Sequence, residues 1–218
     1  MPGQPPSGLI VDFYGVLTVD LDSAMTAWAD SDGIDYLSFR EAMADWFGEA
    51  GAVTVRLNPV HALERGELEV PDFEQQLAKR LRSWDGTPVA ADGLVARMFN
   101  QFQHAPDMAG LVRRARSSGL RTALLSNSWG DQYFRTGWGD MFDAVVISGE
   151  VNMRKPERQI FEYTLRELRL DARECVFVDD HEQNVSAAAK LGLIGIHHTD
   201  YESTAAELEV IFDRPLAG

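Results

Sequence analysis

The sequence predicts an α/β protein in which a parallel-sheet core is interrupted by a helical insertion. In the second half of the chain, short apolar runs alternate with helical patterns, the order typical of βαβ units. From about Asp20 to Gln103, helical patterns recur without a convincing buried strand. A length of 218 residues suits one core domain with a sizeable insertion. We therefore expect residues 1–19 and 104–218 to form the α/β core and residues 20–103 to form the helical insertion.

The individual elements follow from apolar runs and from apolar residues at helical spacing. Strands are predicted at residues 8–12, 121–126, 144–148, 175–179 and 193–197, and core helices at 108–118, 157–168 and 184–191. Within the insertion, Phe39, Met43, Trp46 and Phe47 recur at helical spacing, and the stretch 72–84 repeats the pattern. Both stretches are predicted to form amphipathic helices whose apolar face is buried.

Charge and composition restrict the partners. The formal net charge of −14 disfavours a surface that neutralises a phosphate backbone or an anionic membrane, so we expect no nucleic acid and no membrane partner. No apolar run approaches the length of a bilayer span, and we expect a cytoplasmic protein, a monomer or homodimer. Cys175 is the only cysteine and lies in an apolar stretch, which predicts a buried structural thiol.

The first chemical motif is a carboxylate at the end of the first apolar run. Asp12 follows GLIV directly, and a turn containing Gly15 comes next. A carboxylate in this place lies at the carboxyl edge of a buried strand, where open α/β sheets bind their ligands. Asp12 is therefore a candidate nucleophile or metal ligand.

Two further polar motifs follow later in the chain. Ser126 and Asn127 end an apolar run, and a hydroxyl with successive backbone N–H groups can hold phosphoryl oxygens or another developing anion. Lys155 precedes Pro156, which can open a helix and so fix the lysine just before its start. The Lys155 ammonium could then neutralise both Asp12 and a bound anion.

The last motif is a pair of adjacent acids at the end of an apolar strand. Asp179 and Asp180 follow the run CVFV. Adjacent carboxylates repel each other, and a hard cation such as Mg²⁺ is the usual relief. One of the two acids could instead cap the next helix.

The order of these motifs resembles that of the haloacid dehalogenase-like superfamily: Asp12, then Ser126, then Lys155, then the pair 179–180. Its members carry a nucleophilic Asp, a Ser or Thr, a Lys and an acidic pair on a Rossmann-like core. The segments LERGELEVPDFEQQL and KPERQIFEYTLRELRL look like the cap and the core of the subgroup with a helical cap after the first motif. The resemblance implies a Rossmann-like parallel sheet with an inserted α-helical cap domain.

The resemblance also implies a hydrolase, first of all a phosphatase that acts on a small phosphorylated metabolite. Asp12 would attack the substrate and form an aspartyl-phosphate intermediate, while Lys155 stabilises negative charge. Ser126 and the Asn127 backbone would bind the phosphoryl group.

The implied cofactor is Mg²⁺. The carboxylate of Asp12, the main-chain carbonyl of Tyr14 and the carboxylate of Asp180 would hold it, with Asp179 in contact directly or through water. Because the ligand at position 14 is a backbone oxygen, the identity of that side chain leaves the metal site intact.

Position 14 departs from the phosphatase pattern of this family, in which that residue is an acid that protonates the leaving group and then activates water. General acid–base help is worth ~10²–10⁴-fold in rate. A phenol, with a pKa near ~10, is a poor base at neutral pH. We therefore expect Tyr14 to make the enzyme a weak or specialised phosphatase, unless another group such as His181 takes over the proton transfer.

Two alternatives stay open. The segment from Asp12 to Gly15, with the later Ser-Asn pair, also resembles metal-independent dehalogenases that displace halide from 2-haloacids. Asp12 would then attack carbon, and Arg40 in the helical insertion would lie near the leaving halide. The acidic pair 179–180 favours the metal-dependent reading. The second alternative is a binding or regulatory module without catalysis, which Tyr14 permits.

Overall fold

The structure is a computed structural model that describes residues 5–19, 21–47 and 58–217. It divides into two compact units. The core unit contains the described residues up to Val19, then His104–Asn127, and the chain from Phe134 onward. The helical unit contains the described residues between Val19 and His104 together with Ser128–Tyr133. Among the described helices, none has the length and apolar character needed to cross a bilayer.

The core unit is built on a five-stranded parallel sheet, as the sequence predicts. Its strands are β1 (Gly8–Val11), β4 (Arg121–Ser126), β5 (Ala144–Ile147), β6 (Cys175–Asp179) and β7 (Ile194–His197). They lie in the order β5-β4-β1-β6-β7, and every neighbouring pair is parallel. The two-residue strands β2 (Thr18–Val19) and β3 (Gln103–His104) flank the insertion.

The strand order creates a switch point at the central strand. After β1, the chain builds β4 and β5 on one side and then crosses to build β6 and β7 on the other. Open α/β sheets bind ligands beyond the carboxyl ends of their strands at such a point. Val11 pairs with Leu124 on one side and with Val178 on the other, so the residues that follow these three strands share one edge.

Helices cover the sheet of the core unit: α6 (Pro106–Ser117), α7 (Ser148–Val151), α8 (Arg158–Leu168), α9 (Glu182–Lys190) and α10 (Tyr201–Phe212). Ile10, Leu125 and Phe177 share one cluster with Phe161 from α8 and Ala188 from α9. Helices α6 and α10 contact each other, α6 also contacts β4, and α10 contacts β7. The strands read as continuous apolar runs because the central ones are buried along their whole length.

The helical unit contains five described helices: α1 (Leu21–Asp32), α2 (Tyr36–Phe47), α3 (Pro59–Glu64), α4 (Val70–Ala78) and α5 (Leu94–Phe99). Trp28 of α1 packs against Phe39 of α2, with ring centroids 5.3 Å apart. The prediction of a helix over 72–84 was wrong beyond Ala78. The chain turns after Lys79, and Ser83 then forms an antiparallel bridge with Ile34.

Residues Ser128–Tyr133 pack with the helical unit, although the sequence places them within the predicted core range. Trp129 explains this assignment, because its ring lies 5.1 Å from that of Phe73 and 6.1 Å from that of Phe99. The structure thus extends the helical unit beyond the predicted range of 20–103. That this unit acts as a cap stays a prediction.

Candidate active site

The predicted site residues of the core converge at the carboxyl edge of the sheet. Asp12 is the first residue after β1, Ser126 ends β4, and Asp179 ends β6. The three strands are neighbours, so their ends lie side by side. Each of these three side chains is buried. A buried polar cluster at a strand edge is the arrangement expected of a ligand site.

Lys155 joins two of the carboxylates. Its Nζ lies 2.7 Å from Oδ1 of Asp12 and 2.6 Å from Oδ2 of Asp179, and the residue is only 1% exposed. The backbone N–H of Phe13 also donates to Oδ1 of Asp12, at 2.7 Å. Burial lowers the pKa of Lys155, but the carboxylates of Asp12 and Asp179 outweigh that effect and raise it. The lysine therefore stays a cation.

Asp179 is occupied by protein donors. Besides Lys155, the backbone N–H of His181 donates to its Oδ1 at 2.8 Å, and Nδ2 of Asn184 lies 3.0 and 3.1 Å from its two oxygens. These contacts fix the carboxylate and aim it at the lysine. Asp179 can lie close to a metal, but its contacts suit it better to holding Lys155.

Asp180 differs from its neighbour in having an unused oxygen. Its Oδ1 is buried and has no hydrogen-bond partner among the described residues. Its Oδ2 lies against Gly15, where a Cβ would be only 2.3 Å away. Gly15 has φ +79°, a conformation that favours glycine. The turn after Asp12 thus brings the peptide that follows Tyr14 close to the Asp180 carboxylate.

Electrostatics at this edge favour a cation. Asp12, Asp179 and Asp180 can place one oxygen each within 4.8 Å of one another. Burial raises the pKa of Asp12 well above its usual range, Lys155 opposes this, and the two other carboxylates raise it further. Burial also raises the pKa of Asp180, with His181 opposing and Asp179 adding to the effect. Three carboxylates thus share one ammonium.

These residues fit the predicted Mg²⁺. A hard cation takes oxygen ligands, and Asp12 and Asp180 supply carboxylate oxygens of which one is buried without a partner. A buried carboxylate oxygen without a donor is costly, and a bound cation would remove that cost. The main-chain carbonyl of Tyr14 is a suitable third ligand because it belongs to the peptide in front of Gly15.

The predicted substrate-binding residues fall in different places. Ser126 ends β4 beside Asp12, whereas the Asn127 side chain is bound to the backbone of Lys155. Its Nδ2 donates to the Lys155 carbonyl at 3.1 Å, and the Lys155 N–H donates to its Oδ1 at 2.8 Å. This leaves only the Asn127 backbone for a phosphoryl group. Arg40 is exposed on α2 of the helical unit, and its role at a halide stays a prediction.

Two features of the site were not predicted from the sequence. Asn184 was placed only at the start of a helix, yet it holds Asp179 from the first turn of α9. One signal in the sequence could have identified Asn184. It is a polar residue five positions after Asp179, on the buried side of a helix that consists largely of small residues. The other feature is the packing of Asp180 on Gly15, for which the sequence carries no signal beyond the glycine itself.

Comparisons with known proteins agree with this geometry. The family model "haloacid dehalogenase-like hydrolase" matches residues 6–192. A sesquiterpene phosphatase from Aspergillus oryzae is 31% identical over 154 residues, covering 66% of this chain and 74% of the relative. Other curated relatives are longer, and the chain spans only 30% of a drimenol cyclase from Aspergillus calidoustus.

Solved structures share the fold. A HAD family enzyme from Bacteroides thetaiotaomicron, in complex with magnesium and inorganic phosphate, superposes with a TM-score of 0.66 at 20% identity, covering 93% of this chain and 99% of that one. A dehalogenase with an intermediate complex gives a TM-score of 0.65 at 16% identity, covering 99% and 100%. The family model, the phosphatase relative and the site geometry together show that this chain belongs to the haloacid dehalogenase-like hydrolases.

Proposed function

We propose that the protein is a Mg²⁺-dependent phosphatase that hydrolyses a small organic phosphate through an aspartyl-phosphate at Asp12. The observation that carries this proposal is the cluster of three carboxylates around one buried lysine, in which Asp180 keeps a buried oxygen without a partner. A metal-independent displacement at carbon would give the unpartnered oxygen of Asp180 no task. The identity of 31% to a sesquiterpene phosphatase supports phosphate chemistry.

Each side chain then has a defined task. Asp12 attacks phosphorus, and its carboxylate is already oriented by the N–H of Phe13 and the ammonium of Lys155. Ser126 and the backbone N–H groups after β4 bind the phosphoryl oxygens. Lys155 places positive charge beside the transferring group, and Asp179 keeps the lysine in place.

Mg²⁺ would be held by Asp12, Asp180 and the Tyr14 carbonyl, and when bound it supplies positive charge against the phosphoryl oxygens. The helical unit, as a cap, would exclude water and select the organic part of the substrate. The substrate partner is thus a small molecule.

The test is phosphate release from p-nitrophenyl phosphate and from a panel of phosphorylated metabolites, with Mg²⁺ or with EDTA. We expect release only with Mg²⁺, and a loss on the order of 10⁴-fold or more in Asp12→Asn, which lacks the nucleophile. Beryllium fluoride with Mg²⁺ should raise the melting temperature of the native protein but not of Asp12→Asn. Turnover that persists in EDTA would contradict the metal-dependent mechanism.

Dehalogenation is the second candidate because Tyr14 suits that pattern and structures of dehalogenases share the fold. The same panel should therefore include 2-haloacids, with halide release as the readout and Arg40→Ala as the diagnostic variant. Halide release that is indifferent to Mg²⁺ and lost in Arg40→Ala would replace the phosphatase proposal. Neither activity, together with binding of beryllium fluoride, would identify a non-catalytic binding module.

A further inference from the structure

Position 14 contributes an aromatic ring where a carboxyl group would complete an acid–base pair with Asp12. The Tyr14 ring packs edge-on against Phe13, with centroids 4.9 Å apart and planes at 89°. Phe13 in turn packs against Trp138 at 5.8 Å. The phenol is therefore part of an aromatic cluster, and its oxygen lies at the far end of a ring, well beyond the reach of an aspartate carboxyl on the same backbone.

The other ionisable groups at this edge of the core unit already have tasks. Asp12 is the nucleophile, and Asp180 carries the unpartnered oxygen that suits a cation. Both oxygens of Asp179 accept hydrogen bonds from protein donors. Lys155 is held between Asp12 and Asp179 as a cation. Each of these groups is thus assigned to the nucleophile, to the cation or to the lysine, and none stands at position 14.

His181, considered from the sequence as a substitute, is used for structure. It is the residue before α9, its backbone N–H donates to Asp179, and the residue is exposed. His197, which ends β7 at the same edge, is also exposed, and its Nε2 lies 2.8 Å from the Asp180 carbonyl. Both imidazoles thus belong to residues that contact the backbone or side chains of the acidic pair, and neither occupies the place of the missing carboxyl group on the turn after Asp12.

An enzyme without this proton donor can still cleave a substrate whose leaving group needs no proton. Alkyl phosphates release a strongly basic alkoxide and depend on general acid help, which is worth ~10²–10⁴-fold. Phosphoric anhydrides release a carboxylate or a phosphate, both stable anions at neutral pH. We propose that the substrate is a phosphoric anhydride, either an acyl phosphate or an organic diphosphate, a conclusion that rests on the proposed phosphatase function.

The two half-reactions balance without an internal acid. An oxygen of Asp12 bonds to phosphorus while the anhydride P–O bond breaks, and its electron pair leaves on the departing carboxylate or phosphate. Water then bonds to the same phosphorus, and the bond from phosphorus to Asp12 breaks to regenerate the carboxylate. Hydrolysis of an acyl phosphate dianion thus yields a carboxylate and dihydrogen phosphate, with both protons of water on the phosphate.

The experiment measures kcat/KM with Mg²⁺ for acetyl phosphate, adenosine diphosphate, aryl phosphates of increasing phenol pKa, and an alkyl phosphate. This parameter reports the steps through phosphoryl transfer and is unaffected by the later hydrolysis that all substrates share. We expect kcat/KM to fall steeply as the leaving group becomes more basic. The acetyl phosphate and adenosine diphosphate arms decide which of the two anhydride classes is preferred.

Three variants test whether the residue at position 14 causes this dependence on the leaving group. Tyr14→Asp should raise the ratio of kcat/KM for the alkyl phosphate to kcat/KM for acetyl phosphate by ~10²-fold or more. Tyr14→Phe should leave the dependence on the leaving group unchanged. Tyr163→Phe, which removes a hydroxyl from α8 of the same unit, is the matched control. If Tyr14→Asp fails to fold, the proposal is still tested by how kcat/KM depends on the leaving group in the native enzyme and in Tyr14→Phe.

The possible outcomes separate this inference from the proposed function. A flat dependence on the leaving group in the native enzyme overturns the inference and leaves the phosphatase intact. Slower cleavage of only the alkyl phosphate in Tyr14→Phe also overturns it, because the hydroxyl would then be the proton donor. No phosphate release from any substrate, acetyl phosphate included, refutes the phosphatase proposal itself.

Discussion

The two units bury polar groups in opposite ways. In the core unit, Asp12, Lys155 and Asp179 are buried against one another, and their charges do not cancel. In the helical unit, a buried carboxylate such as Glu74 is bound to backbone N–H groups, those of Gly93 and Val95 at the start of α5. The charged cluster of the core unit is suited to binding a ligand, whereas the Glu74 carboxylate only stabilises the start of a helix.

This difference indicates which buried charges serve ligand binding and which serve the stability of the fold. Three carboxylates around one ammonium carry an excess of negative charge, which a bound cation or the protonation of a carboxyl group relieves. A carboxylate at a helix start satisfies N–H groups that would otherwise lack partners, and it carries no further chemistry. Substitutions in the two units should therefore have distinct signatures in stability and in metal binding.

The largest effect on stability is expected from Lys155→Met. Removing the ammonium leaves the buried carboxylates of Asp12 and Asp179 without their cationic partner, and the loss of one partner of a buried ion pair costs about 3–5 kcal/mol. Urea unfolding at neutral pH in EDTA measures the loss, and Mg²⁺ should restore part of it. Lys190→Met, an exposed lysine at the end of α9, is the control and should change stability by less than about 1 kcal/mol. If the two variants were equally stable, the charged cluster around Lys155 would not differ in energy from an ordinary surface site.

Gly15→Ala should weaken Mg²⁺ binding. The new Cβ would lie 2.3 Å from Oδ2 of Asp180 and displace that carboxylate, and changes beside a metal ligand typically cost about 10–100-fold in affinity. Gly33→Ala is a matched control, because Gly33 also has positive φ but has open space around it. Calorimetric titration with Mg²⁺ should separate the two variants. If both lose stability and both keep their Mg²⁺ affinity, Asp180 is not a ligand.

The core could be predicted from the sequence because its signals are local. Each predicted strand was an apolar run, and the observed bounds agree within one residue, as for the run that ends at Val11. Asp12 and Ser126 could be predicted to lie together because parallel strands bring their carboxyl ends to one edge, whereas Lys155 was predicted from its place before Pro156 at a helix start. The contacts that hold Asp179 and orient Asp180 could not be predicted, since they involve Asn184 and Gly15 and form only in the folded chain.

The helical unit was harder to predict because its elements depend on distant partners. Helix α5 has six residues and begins at Leu94, and Glu74 from another helix accepts hydrogen bonds from the backbone N–H groups of Gly93 and Val95 at its start. The predicted helix over 72–84 ends early because Ser83 pairs with Ile34, a contact that periodicity does not reveal. A short helix gains little from local propensity, so its position is set by packing.

Glu74→Ala tests the structural side of the comparison. The substitution removes the acceptor for two N–H groups at the start of α5, and unsatisfied buried donors cost about 1–3 kcal/mol. The free energy of unfolding should fall by this amount, while Mg²⁺ affinity of the folded protein stays unchanged. Glu74→Gln keeps one acceptor oxygen and should recover part of the loss. A change in Mg²⁺ affinity without loss of stability would show that Glu74 serves the site.

The smallest effect is expected from Cys175, a buried group of the core without a charged partner. Burial raises the pKa of its thiol from an ordinary value of 9.0 to about 12, with Glu174 and Asp171 adding to the effect. Above pH 9, the unfolded chain loses this proton and the folded chain keeps it, so the thiol favours unfolding as pH rises toward 12.

The slope from this one proton is at most about 1.4 kcal/mol per pH unit. Cys175→Ser lacks the titrating thiol, so its stability should fall less steeply between pH 9 and 10.5 than that of the native protein. Urea unfolding at several pH values measures both slopes, and alkylation at pH 8 should proceed only when the chain unfolds. Parallel slopes, or rapid alkylation of the native protein, would mean that this end of β6 opens to solvent, and the sheet beneath the charged edge would then be less rigid than its burial indicates.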